Sequence, residues 1–311
     1  YFKLNKEQKQ SINFIIKTFI SRAHNDLCGY DGFLNKSKNV ITGTGNSYYN
    51  RLISTIAKQE NIKVTRVNHG GERCFYNDDW YWDNEFFQTD CFITYGHKWK
   101  DYADSRSAQV SQNVNIEAIG SNYHQKLYDI FFGKKINNKK KVLYIPNSFV
   151  GEARQFPFSK IIDPILFDWQ KYIIELLQKN DFKVIYKKHP KGFFQEENIL
   201  GKIAEYESCK PMIEALQDVD TVLCDTAGSA FVESLCAGKN IVLIDTKQRL
   251  FNDENKIELE RVVEIVPVSW ENNILCIDES CLINALNTTS IQDSVKKSFI
   301  ENYFLKGVKN V

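Results

Sequence analysis

The stretch VIYKKHPKG, residues 184–192, decides how this chain is read. The apolar run over 182–186 predicts a strand, which delivers Lys187, Lys188, His189 and Lys191 to one loop. Pro190 removes an N–H and stiffens the turn. A loop so rich in cations suits a phosphate or diphosphate, with His189 as a charge-assisted donor; a solvated basic turn is the plain alternative. A second signal lies downstream, where 221–224 predicts a strand that runs into DTAGSAFVES, residues 225–234. A helix is expected from about Ser229 to Ala237, and its N-terminus would offer free N–H groups to an anion. Thr226 and Ser229 add hydroxyls beside Gly228, and Glu233 falls one turn on, where a ribose hydroxyl could lie. Capping by Asp225 or Ser229 would explain the helix start but not the whole run of small residues.

Outward from these two loops, the pattern is that of repeated α/β units. In the first half, helical spacing is expected over 7–23, 48–58 and 123–132, and strands over 39–42, 62–67, 91–95 and 116–119. The polar, basic tract GKKINNKKK, residues 133–141, marks the boundary between a domain over 1–138 and another over 139–311, the last helix being expected to pack back on the first. The second half predicts strands at 142–145, 182–186, 221–224 and 241–244. Its helices are expected at 165–179, 196–206, 213–217, 281–287 and 291–304. The fold class is therefore α/β, with two Rossmann-like domains whose ligands bind beyond the carboxyl ends of parallel strands.

Two further loops sit at such strand ends. NHGGE places His69, Gly70, Gly71 and Glu72 after a strand, where two glycines permit close backbone approach and His69 or Glu72 could serve as a base. GTGNS, with Gly43 and Asn46, opens a helix but lacks the full dinucleotide fingerprint and the lysine of a P-loop; it reads as a turn on the acceptor side. NDDWYWDNEFF, residues 77–87, is acidic and aromatic. It is read as a solvated loop with buried aromatic anchors, with a sugar-binding wall or a partner surface as the other readings. No metal site is assigned to it.

The 311 residues carry a net charge of +1, which gives no support for a nucleic-acid binder. None of the eight cysteines forms a CxxC pair, and Cys91, Cys224 and Cys236 sit in apolar runs. This usage suits a reducing compartment, so a cytoplasmic location is expected. No run of about 18 apolar residues predicts a spanning helix; the tract 134–141 reads first as a plain solvated linker, although it and Lys297 could touch anionic lipid at the inner face of the cytoplasmic membrane.

His189-Pro190, the Thr226 and Ser229 pair in DTAGSAFVE, and His69-Gly70 together resemble bacterial GT-B glycosyltransferases of surface-polysaccharide assembly and their polyol-phosphate polymerase relatives. TDCFITYGHKW, residues 89–99, resembles the segment that follows the His-Gly motif in CDP-glycerol polymerases. The chain departs from those polymerases at His-Gly-Gly-Glu, where they carry His-Gly-Thr and basic residues, and at Gly228, where they carry a Ser-Ser pair. The His-Gly-Gly form is more similar to Kdo transferases. The resemblance implies two domains facing a cleft. The donor nucleotide would lie on Lys188, His189, Pro190, Lys191, Thr226, Gly228, Ser229 and Glu233, and the acceptor near Gly43, Asn46, Gly70 and Gly71. It implies a metal-independent reaction with no cofactor beyond a CMP- or CDP-activated donor, best matched by CMP-Kdo or another nonulosonate. The sugar would pass to a lipopolysaccharide or capsule glycan, free or lipid-linked. An inverting route would use His69 or Glu72 as base; a retaining route would need a carboxylate nucleophile, for which Glu72, Glu152 and Asp163 are candidates. A glycerol- or ribitol-phosphate transferase, a UDP-sugar epimerase and a non-catalytic nucleotide-binding module are the competing functions.

Overall fold

Residues Thr221–Cys224 are buried at all four positions, as befits a strand covered on both faces of a parallel sheet. The computed structural model containing it describes residues 5–29, 34, 36–110, 113–136, 140–149, 161–188, 199–204, 206–272, 274–288 and 291–306. In chain order the strands are β1 (Asn39–Thr42), β2 (Lys63–Val67), β3 (Cys91–Thr94), β4 (Asn115–Ala118), β5 (Lys141–Ile145), β6 (Lys183–Lys187), β7 (Tyr206–Ser208), β8 (Thr221–Cys224), β9 (Asn240–Asp245), β10 (Glu264–Glu271) and β11 (Ile274–Ile277). The helices are α1 (Lys6–Gly29), α2 (Tyr48–Gln59), α3 (Asp79–Phe86), α4 (His97–Gln109), α5 (Asn122–Phe131), α6 (Asp163–Lys179), α7 (Ile199–Ile203), α8 (Met212–Ala215), α9 (Ser229–Cys236), α10 (Asp253–Glu260), α11 (Glu279–Asn287) and α12 (Asp293–Tyr303).

The chain divides into two compact units. The first comprises Tyr1–His69, Asp79–Thr94 and Ala103–Glu117; the second comprises Gly70–Asp78, Tyr95–Tyr102 and Ala118–Val311. The first unit is built on a four-stranded sheet in the order β1-β2-β3-β4, with β1, β2 and β3 parallel. Leu52, Ile56 and Ala57 of α2 close its core against Val40 and Val64. The second unit carries a seven-stranded sheet in the order β11-β10-β9-β8-β5-β6-β7, parallel except where β11 turns back on β10. Over this sheet α6 buries Leu166, Trp169, Gln170, Ile173, Ile174 and Leu177, the three- and four-residue spacing of one helical stripe. Pro164 sits in its first turn, where a missing N–H costs nothing.

Strand order positions the site. From β5 the chain steps outward to β6 and β7, then returns to the other side of β5 for β8 and β9. The order therefore reverses between β5 and β8, and the crevice at the carboxyl ends of two such strands is where an open parallel sheet binds ligands.

Several local expectations need correction. Helix α7 is shorter than the expected 196–206, and Tyr206 begins β7, paired with β6. The acidic, aromatic tract is the helix α3, not a solvated loop. Tyr81, Trp82 and Phe86 are buried, and Trp82 and Phe86 pack on Phe92, so these three rings form core rather than a sugar-binding wall.

Candidate functional site

Asp225 follows β8 at the switch point, and its side chain does not cap a helix. It lies 1% exposed. One oxygen accepts from the Tyr144 hydroxyl at 2.8 Å and the Asn147 N–H at 3.4 Å; the other accepts from the Trp169 indole at 3.4 Å. Burial raises its pKa to about 6 from an ordinary 3.8, and these hydrogen bonds oppose the rise. Asn147 in turn accepts at its carbonyl from Gln170, whose amide oxygen accepts from Tyr186. A buried polar network thus ties the ends of β5 and β8 to α6 and fixes the loop that follows Asp225.

That loop opens α9. Its N-cap is Gly228, which has no side chain and so makes no side-chain cap bond among the described residues. The first-turn N–H groups therefore have no intrahelical acceptor. Thr226 is half-buried and Ser229 exposed beside them. The Ala227 N–H donates to the Tyr76 hydroxyl at 2.9 Å, and that hydroxyl lies 3.4 Å from Thr226 Oγ1. Tyr76 is itself clamped, with the Arg249 guanidinium 3.6 Å over its ring and Phe251 stacked on it.

The Gly-Gly loop meets the same helix end. Gly70 and Gly71 have φ of +86° and +82°, a conformation that favours glycine at both. The turn folds Glu72 back over Gly70. A Cβ on Gly70 would fall 2.2 Å from Glu72 Oε2 and 3.3 Å from Ser229 Oγ, so carboxylate and hydroxyl flank one point. Glu72 Oε1 faces Arg73 at 3.2 Å and Arg249 at 3.9 Å, and both arginines also engage Asp78. Glu72 Oε2 is buried and has no hydrogen-bond partner among the described residues. The loop is anchored by Phe75, which packs on Phe231 of α9 and stacks on Phe299 of α12. It is anchored again where the Trp99 indole donates to the Gly71 carbonyl at 2.9 Å. Close by, the Tyr95 hydroxyl is bonded by the Gly70 backbone and pushed up to about 12, by burial first and then by Glu72.

Other predicted residues are placed as follows. Glu233 accepts from the Tyr123 hydroxyl at 2.8 Å. Burial raises its pKa, while Tyr123 and Lys187 act the other way. Lys187, the last residue of β6, is thus an electrostatic neighbour of α9. Lys188 pairs with Glu207 at 3.7 Å. His189, Pro190, Lys191 and Glu152 lie outside the described residues. Asp163 is the first residue of α6. His69 is the exposed last residue of the first segment of the first unit.

Gly43 and Asn46 also belong to the first unit, in a loop closed on itself. Glu85 accepts from the Thr44 hydroxyl at 2.7 Å and from the Gly45 N–H at 3.1 Å. The glycine that matters there is Gly45, where a Cβ would fall 1.9 Å from both the buried Arg66 guanidinium and the Asn84 carbonyl; at Gly43 nothing lies within 4 Å. Gly45→Ala is expected to lower stability by roughly 2–3 kcal/mol, and Gly43→Ala by less than about 0.5 kcal/mol, as read by denaturant melts.

Sequence reasoning missed Tyr76, Tyr95 and Arg249, and it missed the network role of Asp225. It also missed His124, enclosed by the rings of Tyr95, Tyr123 and Phe304 and lowered to about 4 by burial. A tyrosine and an arginine 173 residues apart give no local signal of meeting.

No protein-family model and no curated protein matches this sequence. Solved structures do share its fold. A candidate UDP-N-acetylglucosamine 2-epimerase from Listeria monocytogenes superposes with a TM-score of 0.56 at 10% identity, over 92% of this chain and 76% of the other. S. aureus MnaA in complex with UDP gives 0.54 at 12%, over 92% and 75%. Arabidopsis thaliana UGT89C1 with UDP gives 0.53 at 11%, over 92% and 74%. With its parallel sheets and the strand reversal at β5 and β8, the chain has the α/β fold of the GT-B glycosyltransferases.

Proposed function

We propose that this chain is a glycosyltransferase that holds the phosphate of a nucleotide-activated sugar at the N-terminus of α9. The observation that carries the reading is the uncapped helix end at the switch point, with Gly228 as N-cap and the hydroxyls of Thr226 and Ser229 beside it. Donors of this kind stabilise a leaving phosphate without moving as charge develops. Lys188, His189, Pro190 and Lys191 would contact the donor phosphate, and Glu233 would hold the ribose. The half over 139–311 serves as donor domain, and the half over 1–138 carries the acceptor.

The preferred donor is CMP-Kdo or another CMP-nonulosonate, and the preferred acceptor is a lipopolysaccharide or capsule glycan at the inner face of the cytoplasmic membrane. Among the described residues no helix is long and apolar enough to cross a membrane. Glu72 is the preferred base, because Oε2 is a buried acceptor with no donor among the described residues; a substrate hydroxyl would supply one. A second reading, a UDP-sugar as substrate, is favoured by the UDP bound in two structures of the same fold.

Incubation with CMP-Kdo and a truncated lipid-linked acceptor, read by product mass, tests the first reading. Addition of a phosphopolyol instead would replace it with the polymerase chemistry, and conversion of a UDP-sugar without acceptor would replace it with epimerisation. His189→Ala is expected to weaken donor binding by about one to two decades in calorimetry, the worth of one charge-assisted hydrogen bond.

A further inference from the structure

The opposite end of the seven-stranded sheet carries a second polar cavity, of about 240 Å³. It lies where β8 and β9 begin, at Thr221 and Asn240, and where α9 ends, at Gly238 and Lys239. Four lysines line it, Lys134, Lys135, Lys239 and Lys296, against two aspartates, Asp220 and Asp293. Lys239 and Lys296 are 3% and 2% exposed, and lysine is rarely buried so far without a counter-charge. Lys296 is satisfied by Asn240 Oδ1 at 2.7 Å and the Lys239 carbonyl at 3.3 Å. Lys239 is not: its ammonium lies 4.9 Å over the Phe131 ring and has no hydrogen bond or ion pair among the described residues. Burial lowers Lys239 against the attraction of Asp220, and lowers Lys296 to about 8 against the attraction of Asp293, with Lys135 adding repulsion at Lys296. The N-terminus of α12 also opens here, with Gln292 as N-cap making no side-chain cap bond among the described residues.

We propose that this cavity is a second anion site, taking a small phosphate-bearing molecule on Lys239, Lys296 and the α12 N-terminus. A ligand there would supply the hydrogen-bond acceptor that Lys239 lacks and offset the repulsion of Lys296 by Lys135. The two ammoniums are recessed, so a free phosphoanion fits better than a headgroup held in a membrane plane. Helix α9 runs from the donor loop to this cavity, and β8 spans the sheet between the same two ends. Occupancy would therefore bear on the elements that carry the donor site.

Limiting amine acetylation of the whole chain, mapped residue by residue by mass spectrometry, tests this with inorganic phosphate and pyrophosphate as probes. The expected result is saturable protection of Lys239 and Lys296 by at least about fivefold over chloride of equal ionic strength. That protection should weaken about tenfold in apparent affinity in the surface variant Lys134→Ala/Lys135→Ala, about 1.4 kcal/mol for the two lost charges together. Equal labelling in phosphate and chloride overturns the proposal. Protection by vesicles containing phosphatidic acid, without protection by either free anion, overturns it in favour of a lipid contact. Protection that is unchanged in the surface variant and absent in Lys239→Met confines the site to the buried lysines and the helix end, and still supports it.

Discussion

Glu72→Gln is expected to cut turnover by ~10²–10⁴ while donor affinity stays within about threefold of the parent, the signature of a lost base rather than a lost binding contact. The substitution keeps the shape of the side chain and its oxygen toward Arg73 and Arg249, but replaces the unpartnered Oε2 by a group that cannot take a proton. A group that acts only in the chemical step separates rate from donor binding in this way; inversion at the transferred sugar, read by NMR of the product, would mark Glu72 as the base, and retention as the nucleophile. If Glu72→Gln turns over normally and His69→Ala loses the activity instead, the base is His69 and Glu72 is a structural counter-ion of the arginines. Loss of donor affinity in Glu72→Gln would mean that the carboxylate shapes the helix end beside Ser229.

The second large effect is on stability. Asp225→Ala is expected to cost about 3–5 kcal/mol, because it strands the Tyr144 hydroxyl, the Asn147 N–H and the Trp169 indole without an acceptor in a buried place. Asp225→Asn probes the charge alone. The folded pKa of about 6 lies above the ordinary 3.8, so the native state binds this proton more tightly than the unfolded chain. Its contribution to stability is full below pH 4 and is lost as pH rises to 6. A rise of about two units corresponds to about 3 kcal/mol over that window. Urea melts from pH 4 to 7 should show this decline in the parent and a flatter profile in Asp225→Asn. Parallel profiles would show that Asp225 is already ionised at pH 4 in the folded protein.

The sequence made the architecture legible wherever one element could be read from its own residues. The apolar run at 221–224, followed by small polar residues, gave both β8 and the opening of α9. The rest was hidden for physical reasons. Helix α3 is eight residues long and mixes acids with rings, so it shows no helical stripe, and its burial is set by tertiary packing. Pro267 lies inside β10, against the usual reading of proline in a strand. Asp225 resembles an N-cap locally; its true partners, Tyr144 and Trp169, stand 81 and 56 residues away. The Gly-Gly turn was legible as a special backbone, yet the reason for it, Glu72 folding over Gly70 beside Ser229, depends on Phe75 packing against α9.

The central claim is that the α9 N-terminus holds a donor phosphate. Calorimetric titration with CMP, CDP and UDP tests it most directly, on the parent chain and on Thr226→Val/Ser229→Ala. The account predicts saturable binding of a nucleotide, tightest for CMP, and weaker by about tenfold or more in the double variant, two hydrogen bonds to a charged group being lost. No binding of any of the three, or binding of equal strength in parent and variant, would contradict it.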